Sequence, residues 1–182
     1  VEPLHPFSTP SKSRTKETRS SLSHPIEVNW IASAIGKGKG LFGITFAPGK
    51  KSFSSRTTPW DRDLAIDLDR LKATYQIDAL ISLIEEEELK RLQISELVAK
   101  ANARRIAVFR SPIVDGSVPT LDGALLICRY ALSLAKAGQK VVFHCRRGLG
   151  RAGTLTACAL MHLGVSPKEA IDITRQHRPG AI

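Results

Sequence analysis

A chain of 182 residues with 42% apolar side chains is long enough for one domain with a sizeable core. Its 27 Lys and Arg against 17 Asp and Glu give a net charge of +10, which favours anionic partners: phosphoproteins, phosphoinositides, nucleic acid or an acidic membrane face. Three cysteines argue against a disulfide framework and for a reducing compartment. No stretch has the length of a transmembrane helix, and the first residues lack the apolar core of a secretory signal; a soluble, cytoplasmic protein is expected.

Residues 1–23 are polar, rich in Ser, Thr, Lys and Arg, and carry Pro3, Pro6 and Pro10 without an apolar period. They read as a disordered basic tail, followed by a single domain over residues 24–182. Ile26, Val28 and Trp30 alternate, so Pro25 to Ile31 is expected as a strand. Gly36 to Gly40 reads as a turn and Leu41 to Phe46 as the returning strand, ended by Pro48-Gly49. Leu64, Leu68 and Leu71 recur at helical spacing, predicting a helix over Asp61 to Tyr75 with Asp61 and Asp63 in its first turn. The apolar run Asp78 to Ile84 fits a strand buried on both faces.

The acidic cluster Glu85 to Glu88 offers four carboxylates but reads as an exposed first helical turn rather than a metal site. Short helices are expected over Glu86 to Leu92 and Ser95 to Ala103, then a strand over Ile106 to Phe109. Ser111 to Thr120 is a loop punctuated by Pro112, Gly116 and Pro119, with Asp115 inside it. An apolar stripe from Leu121 to Ala135 predicts an amphipathic helix stopped by Gly138. Val141 to Phe143 is a buried strand, Cys145 to Arg151 a tight polar loop, and Arg151 to about Gly164 a helix. Ser166 caps a last helix to His177, with Pro167 in its first position and Glu169 completing a capping box. This order implies an α/β fold: a central, mainly parallel twisted sheet flanked by helices on both faces.

The loop between the last strand and its helix carries the chemistry. Cys145 and Arg151 enclose five residues, among them Gly148 and Gly150. A loop at a helix N-terminus presents unpaired N–H groups and the positive end of the dipole, which favour a thiolate and a bound phosphate dianion. Glycines let successive N–H groups turn inward. The arginine is a planar fork able to grip two phosphate oxygens, which a lysine is not. The spacing of all these parts argues against a merely structural cysteine. A proton donor for the leaving oxygen is also needed, and a carboxyl on a mobile loop could supply it, for which the chain offers Asp115 and Asp122.

His144-Cys145-x5-Arg151 resembles the signature of the cysteine-dependent protein tyrosine phosphatase superfamily, and GLGRAG within it is similar to the small dual-specificity phosphatases. SPIVDG, Ser111 to Gly116, resembles their general-acid loop, and Arg178-Pro179-Gly180 a turn of atypical members. The order of elements from Trp30 onward is most similar to the kinase-associated phosphatases that act on cyclin-dependent kinases. The resemblance implies a protein tyrosine phosphatase-like fold and a phosphocysteine intermediate. It implies Cys145 as nucleophile, Arg151 as phosphate grip, Asp115 as general acid, and Arg146, Arg147, Gly148, Leu149, Gly150 and Ala152 as the rest of the phosphate-binding loop. It implies phosphorylated protein, on tyrosine, serine or threonine, as substrate, with phosphoinositide as an alternative. It also implies one more helix after Arg178, so the chain is expected to be truncated or unusually short.

Most members of that superfamily carry Ser or Thr where this chain has Ala152, as the phosphatase of regenerating liver group also does, and a slow second step is expected. Thr154, two residues along the helix, is expected to point elsewhere. His144 is expected to face away from the pocket and make an orienting hydrogen bond. Arg146 and Arg147 would favour polyanionic or doubly phosphorylated substrates. Cys128 and Cys158 fall in apolar helical patterns and read as core residues. The five histidines are scattered, so no metal site, no cofactor and no nucleic-acid partner is expected. Two rival readings remain: a phosphate-recognising binding module with little turnover, and a sulfurtransferase of the rhodanese type, which also uses a loop cysteine.

Overall fold

The apolar runs at residues 78–84 and 141–145 become neighbouring strands at the centre of a five-stranded sheet in this computed structural model, which describes residues 17–31, 42–53 and 58–182. In chain order the elements are β1 Arg19–Ser20, β2 Asn29–Trp30, β3 Phe42–Phe46, β4 Lys51–Ser52, β5 Trp60–Asp61, α1 Leu64–Ala73, β6 Ala79–Ser82, α2 Glu86–Arg91, α3 Leu97–Asn102, β7 Ala107–Arg110, α4 Leu121–Lys136, β8 Val141–Cys145, α5 Gly150–His162 and α6 Pro167–His177. The main sheet runs β2-β3-β8-β6-β7, parallel except for the β2–β3 pair. Every residue of β6 and β8 is buried, as continuous apolar strands covered on both faces require. Helices flank this sheet, as the alternation of elements predicts, with α4, α5 and α6 packed as neighbours.

The register places the loop. Phe46 pairs with Cys145, so the end of β3 lies beside the start of the loop that follows β8. The site is thus at the carboxyl end of the central strands, the usual ligand position in such sheets.

Several boundaries shift for identifiable reasons. The expected strand over Pro25 to Ile31 is reduced to β2, because two of its carbonyls are bonded elsewhere: Arg70 Nε donates to Ile26 O at 2.9 Å and Thr45 Oγ1 to Glu27 O at 2.7 Å. The helix expected from Asp61 starts at Leu64, since Asp63 is its cap, accepting from Ile66 N at 2.9 Å. Asp61 belongs instead to a second sheet of three short strands, β1-β5-β4, which the sequence did not suggest. The expected tail over residues 1–23 is corrected by β1, which pairs in parallel with β5; residues 1–16, with Lys12, Arg14 and Lys16, lie outside the described residues, as does the turn at Gly36 to Gly40. At α6 only the serine half of the capping box is made, Glu169 N donating to Ser166 Oγ at 3.4 Å.

A buried ion pair ties the second sheet to the domain. Arg62 Nη2 and Nε reach the two oxygens of Asp67 at 2.7 and 2.8 Å, and Nη1 donates to His24 O at 2.7 Å. Asp67 Oδ2 also accepts from Gly49 N at 2.8 Å. Gly49 has φ +70, and a Cβ there would lie 2.5 Å from Leu64 Cβ, so the turn that leads into β4 demands glycine.

Candidate active site

The loop from Cys145 to Arg151 forms the floor of a cleft of about 750 Å³. Gly148 has φ +66, and a Cβ there would meet Thr45 O at 2.3 Å; only glycine lets the loop pass that close to β3. Gly150, by contrast, is simply the first residue of α5, so one glycine rather than two makes the turn. Leu149 precedes the helix and offers no side-chain cap. Among the described residues the amides of Arg147 to Ala152 donate to no protein acceptor. Unsatisfied amides at the start of a helix make an anion cradle.

Arg151 is 3% exposed and is held rigidly. Its Nη2 lies 2.8 Å from Glu88 Oε1 while Nη1 donates to Glu88 Oε2 and, at 2.8 Å, to Ile113 O. Nε is buried and has no partner among the described residues, leaving one donor of the fork for a ligand oxygen. Asp115 Oδ1 is 2.9 Å from Arg151 Nη2, and its carboxylate is half-exposed on the cleft wall. It sits in a turn closed by Ser117 N to Val114 O at 2.9 Å, with Gly116 at φ +81. Asp122 lies in the first turn of α4, whose cap is Thr120. Asp115, not Asp122, is therefore the carboxylate that lines the cleft.

Glu88 corrects the reading of the acidic cluster. It is 2% exposed, whereas Glu85, Glu86 and Glu87 lie toward solvent. Burial works against its charge, but the hydrogen bonds from Arg151 and the Glu85 amide outweigh that and hold the carboxyl below the usual glutamate range. The only sequence signal was its place in the helical period, beside buried Leu89, on the inward face of α2.

His144 is fully buried behind the loop, and neither ring nitrogen has a hydrogen-bond partner among the described residues. The expected orienting bond is not made: strand alternation turns the ring into the core between Thr45 and Ser82, its partners on β3 and β6. Burial pushes its pKa down to about 4, so it is neutral at pH 7. Arg146 and Arg147 are both exposed, and both line the cleft. Ala152 is fully buried, and Thr154, expected to point elsewhere, also lines the cleft. Cys128 is buried and Cys158 half-buried; the two line a separate apolar groove between α4 and α5.

Two cations were missed. Arg178 clamps the loop from outside, with Nε on Gly148 O at 3.0 Å, Nη2 on Arg147 O at 3.1 Å and Nη1 on Asn29 Oδ1 at 2.9 Å. Lys50 follows the glycine turn and is 7% exposed on the cleft wall. Its Nζ lies 4.3 Å from the Phe46 ring centre, 4.4 Å from that of Trp60 and 3.5 Å from Arg146 O. No metal-binding group of His, Cys, Asp or Glu occurs among the described residues, and no helix there is long and apolar enough to cross a membrane.

A strand–loop–helix cradle with cysteine first and arginine last, at the carboxyl edge of this sheet, defines an atypical dual-specificity protein tyrosine phosphatase. The sequence model of the polymorphic toxin system DSP-PTPase phosphatases matches residues 57–165, and the chain belongs to that family. It is 28% identical to human cyclin-dependent kinase inhibitor 3 over 183 residues, covering 95% of this chain and 84% of that protein. Over 83 residues it is 47% identical to human protein tyrosine phosphatase type IVA 3, covering 42% of this chain and 46% of the other. Among solved structures, kinase associated phosphatase with its catalytic cysteine changed to serine superposes with a TM-score of 0.76 at 26% identity, covering 87% of this chain and 88% of that one. Tk-PTP in the active form gives 0.64 at 28% identity, covering 85% and 86%.

Proposed function

We propose that this phosphatase hydrolyses phosphotyrosine, phosphoserine and phosphothreonine in proteins through a phosphocysteine intermediate. The Cys145 thiolate attacks phosphorus; the S–P bond forms as the P–O bond to the leaving group breaks, and Asp115 gives its proton to that oxygen. The Asp115 carboxylate then takes a proton from water, whose oxygen displaces Cys145 and frees inorganic phosphate. Arg151 Nε and the loop amides hold the equatorial oxygens, where charge spreads in both transition states. The observation that carries this reading is the convergence on one cleft of Cys145, the loop residues with their unpaired amides, Arg151 and Asp115.

The test is a stopped-flow time course of p-nitrophenyl phosphate hydrolysis at high enzyme concentration, beside Cys145→Ser. A burst of phenol near one per active site, absent in the serine variant, is expected. Wild type that matches the serine variant, with no product from either, would overturn the reading in favour of a binding module.

A further inference from the structure

Lys50 is a nine-tenths buried ammonium without a counter-ion. Among the described residues neither it nor Arg19, Arg146 or Arg147 is in an ion pair with a carboxylate. One of its three N–H groups makes a long contact to Arg146 O, at 3.5 Å. Buried charges are normally paired, because an unpaired one costs several kcal/mol of lost hydration, on the order of a whole domain's margin. The aromatic rings of Phe46 and Trp60 offset part of this cost as cation–π partners.

The position is as telling as the charge. Beside the catalytic cleft lies a second cavity of about 570 Å³. The two share Arg19, Lys50, Trp60, Arg147 and Leu149 as a common wall. Arg19 also lies over the Trp60 ring, 5.4 Å from its centre. Among the described residues the one carboxylate lining the second cavity is Glu27, which is exposed. A cationic wall, walled by aromatics and shared by two adjoining cavities, fits an anion that sits next to the scissile phosphate.

We infer that Lys50, with Arg19 and Arg147, forms a second phosphate subsite that selects substrates carrying a second phosphate on the same compact scaffold. This rests on the phosphocysteine chemistry proposed above and adds a non-protein substrate class, compact bisphosphates, to the phosphoproteins. Lys50 Nζ touches the residue that follows Cys145, so the second phosphate must lie close to the first. Phosphates on adjacent carbons of one ring meet that need. Side chains of adjacent residues in an extended peptide point to opposite faces and do not.

The charge state of Lys50 gives an independent readout. Burial, then the positive neighbours Arg62, Arg178 and Arg146, push its pKa down to about 7, while Cys145 acts to raise it. Arg62 is itself neutralised by Asp67, and Glu27 faces Arg178. A subsite built on Lys50 therefore loses strength as pH rises through about 7.

The experiment compares kcat/KM for a soluble inositol monophosphate and an inositol bisphosphate with vicinal phosphates, beside p-nitrophenyl phosphate. Wild type should prefer the bisphosphate about tenfold, the value of one charge-assisted hydrogen bond. Lys50→Met should bring the ratio toward one. Lys50→Arg should keep a preference that no longer declines between about pH 6 and pH 9. Arg19→Gln, at a more exposed position, should lower the ratio by less. The same bisphosphate as a phosphoinositide in phosphatidylcholine vesicles separates the sources: Lys50-dependent preference only on vesicles supports the subsite with a lipid headgroup, and equal preference for both supports it with the free compound. An identical ratio in wild type and Lys50→Met overturns the subsite while normal p-nitrophenyl phosphate cleavage keeps the phosphatase. Loss of that cleavage in wild type overturns both. A Lys50-dependent preference for a doubly phosphorylated peptide over the bisphosphate overturns the compact scaffold.

Discussion

Removing the Glu88 carboxylate should both loosen the fold and disarm Arg151. The two side chains are each 2% exposed and meet through both carboxylate oxygens. Glu88→Ala leaves a buried guanidinium with only the Leu83 and Ile113 carbonyls and Asp115 for company. Breaking a buried pair in this way costs about 3–5 kcal/mol, against a total stability of about 5–15 kcal/mol for a domain. At about 2–4 °C per kcal/mol for a chain of this length, Tm should fall by about 6–20 °C. Glu88→Gln keeps the shape and one acceptor, so about 1–3 kcal/mol is expected, with the fold retained. Its kcat/KM for an aryl phosphate should still drop tenfold or more, because a guanidinium free to tilt no longer presents Nε to the phosphate. Glu86→Gln is the matched control: its carboxylate is 57% exposed on Arg110 and should cost at most about 0.5 kcal/mol. Urea unfolding and steady-state kinetics, run well below each melting point, give both numbers. Equal midpoints and equal kcat/KM for Glu88→Gln and Glu86→Gln would refute the positioning role.

Three further outcomes follow from the geometry. Ala152→Ser should raise steady-state turnover and shrink the burst if the missing hydroxyl limits release of phosphate; unchanged turnover, beside Thr154→Val with a further loss, would instead assign that task to Thr154 on the cleft wall. His144, with its folded pKa near 4 and an unfolded value near 6.5, stays neutral in the fold while the unfolded chain takes up a proton. Its contribution is complete above about pH 6.5 and is lost as pH falls toward 4, about 3 kcal/mol in all; His144→Leu should remove that part of the acid slope in urea titrations. Arg62→Met strands a buried Asp67 carboxylate and should cost about 3–5 kcal/mol in urea unfolding, and a variant as stable as wild type would show the pair to be dispensable.

The legible part of the sequence was the part governed by local rules. The continuous apolar runs gave β6 and β8, the leucine spacing gave α1, and Ser166-Pro167 marked the start of α6. The loop was legible because Cys145, Gly148 and Arg151 act through fixed local spacing. What escaped depends on contacts distant in sequence. Glu88 reaches Arg151 from 63 residues away, and Arg178 clamps the loop from 30 residues beyond Gly148. Strands of two residues, such as β1, β4 and β5, are too short to show alternation. Lys50 carries no local signal, since nothing near it in sequence announces that Trp60 will close over it.

The cations of this chain divide by partner, and the division tells structure from recognition. Arg62 is satisfied by a buried carboxylate and Arg178 by loop carbonyls and Asn29, so their charge is spent on geometry, whereas Arg151 is oriented by Glu88 and keeps Nε unpaired. Lys50, Arg19, Arg146 and Arg147 line the cleft without such partners among the described residues. The two groups are mechanically linked. Asp67 holds both Arg62 and the Gly49 amide, so the pair that fixes the second sheet also fixes the turn that carries Lys50. Phe46, whose ring lies beneath Lys50, is the register partner of Cys145. The second sheet therefore does more than cover an edge: it brings a charged wall to the reacting end of β8, at a distance set by strand register.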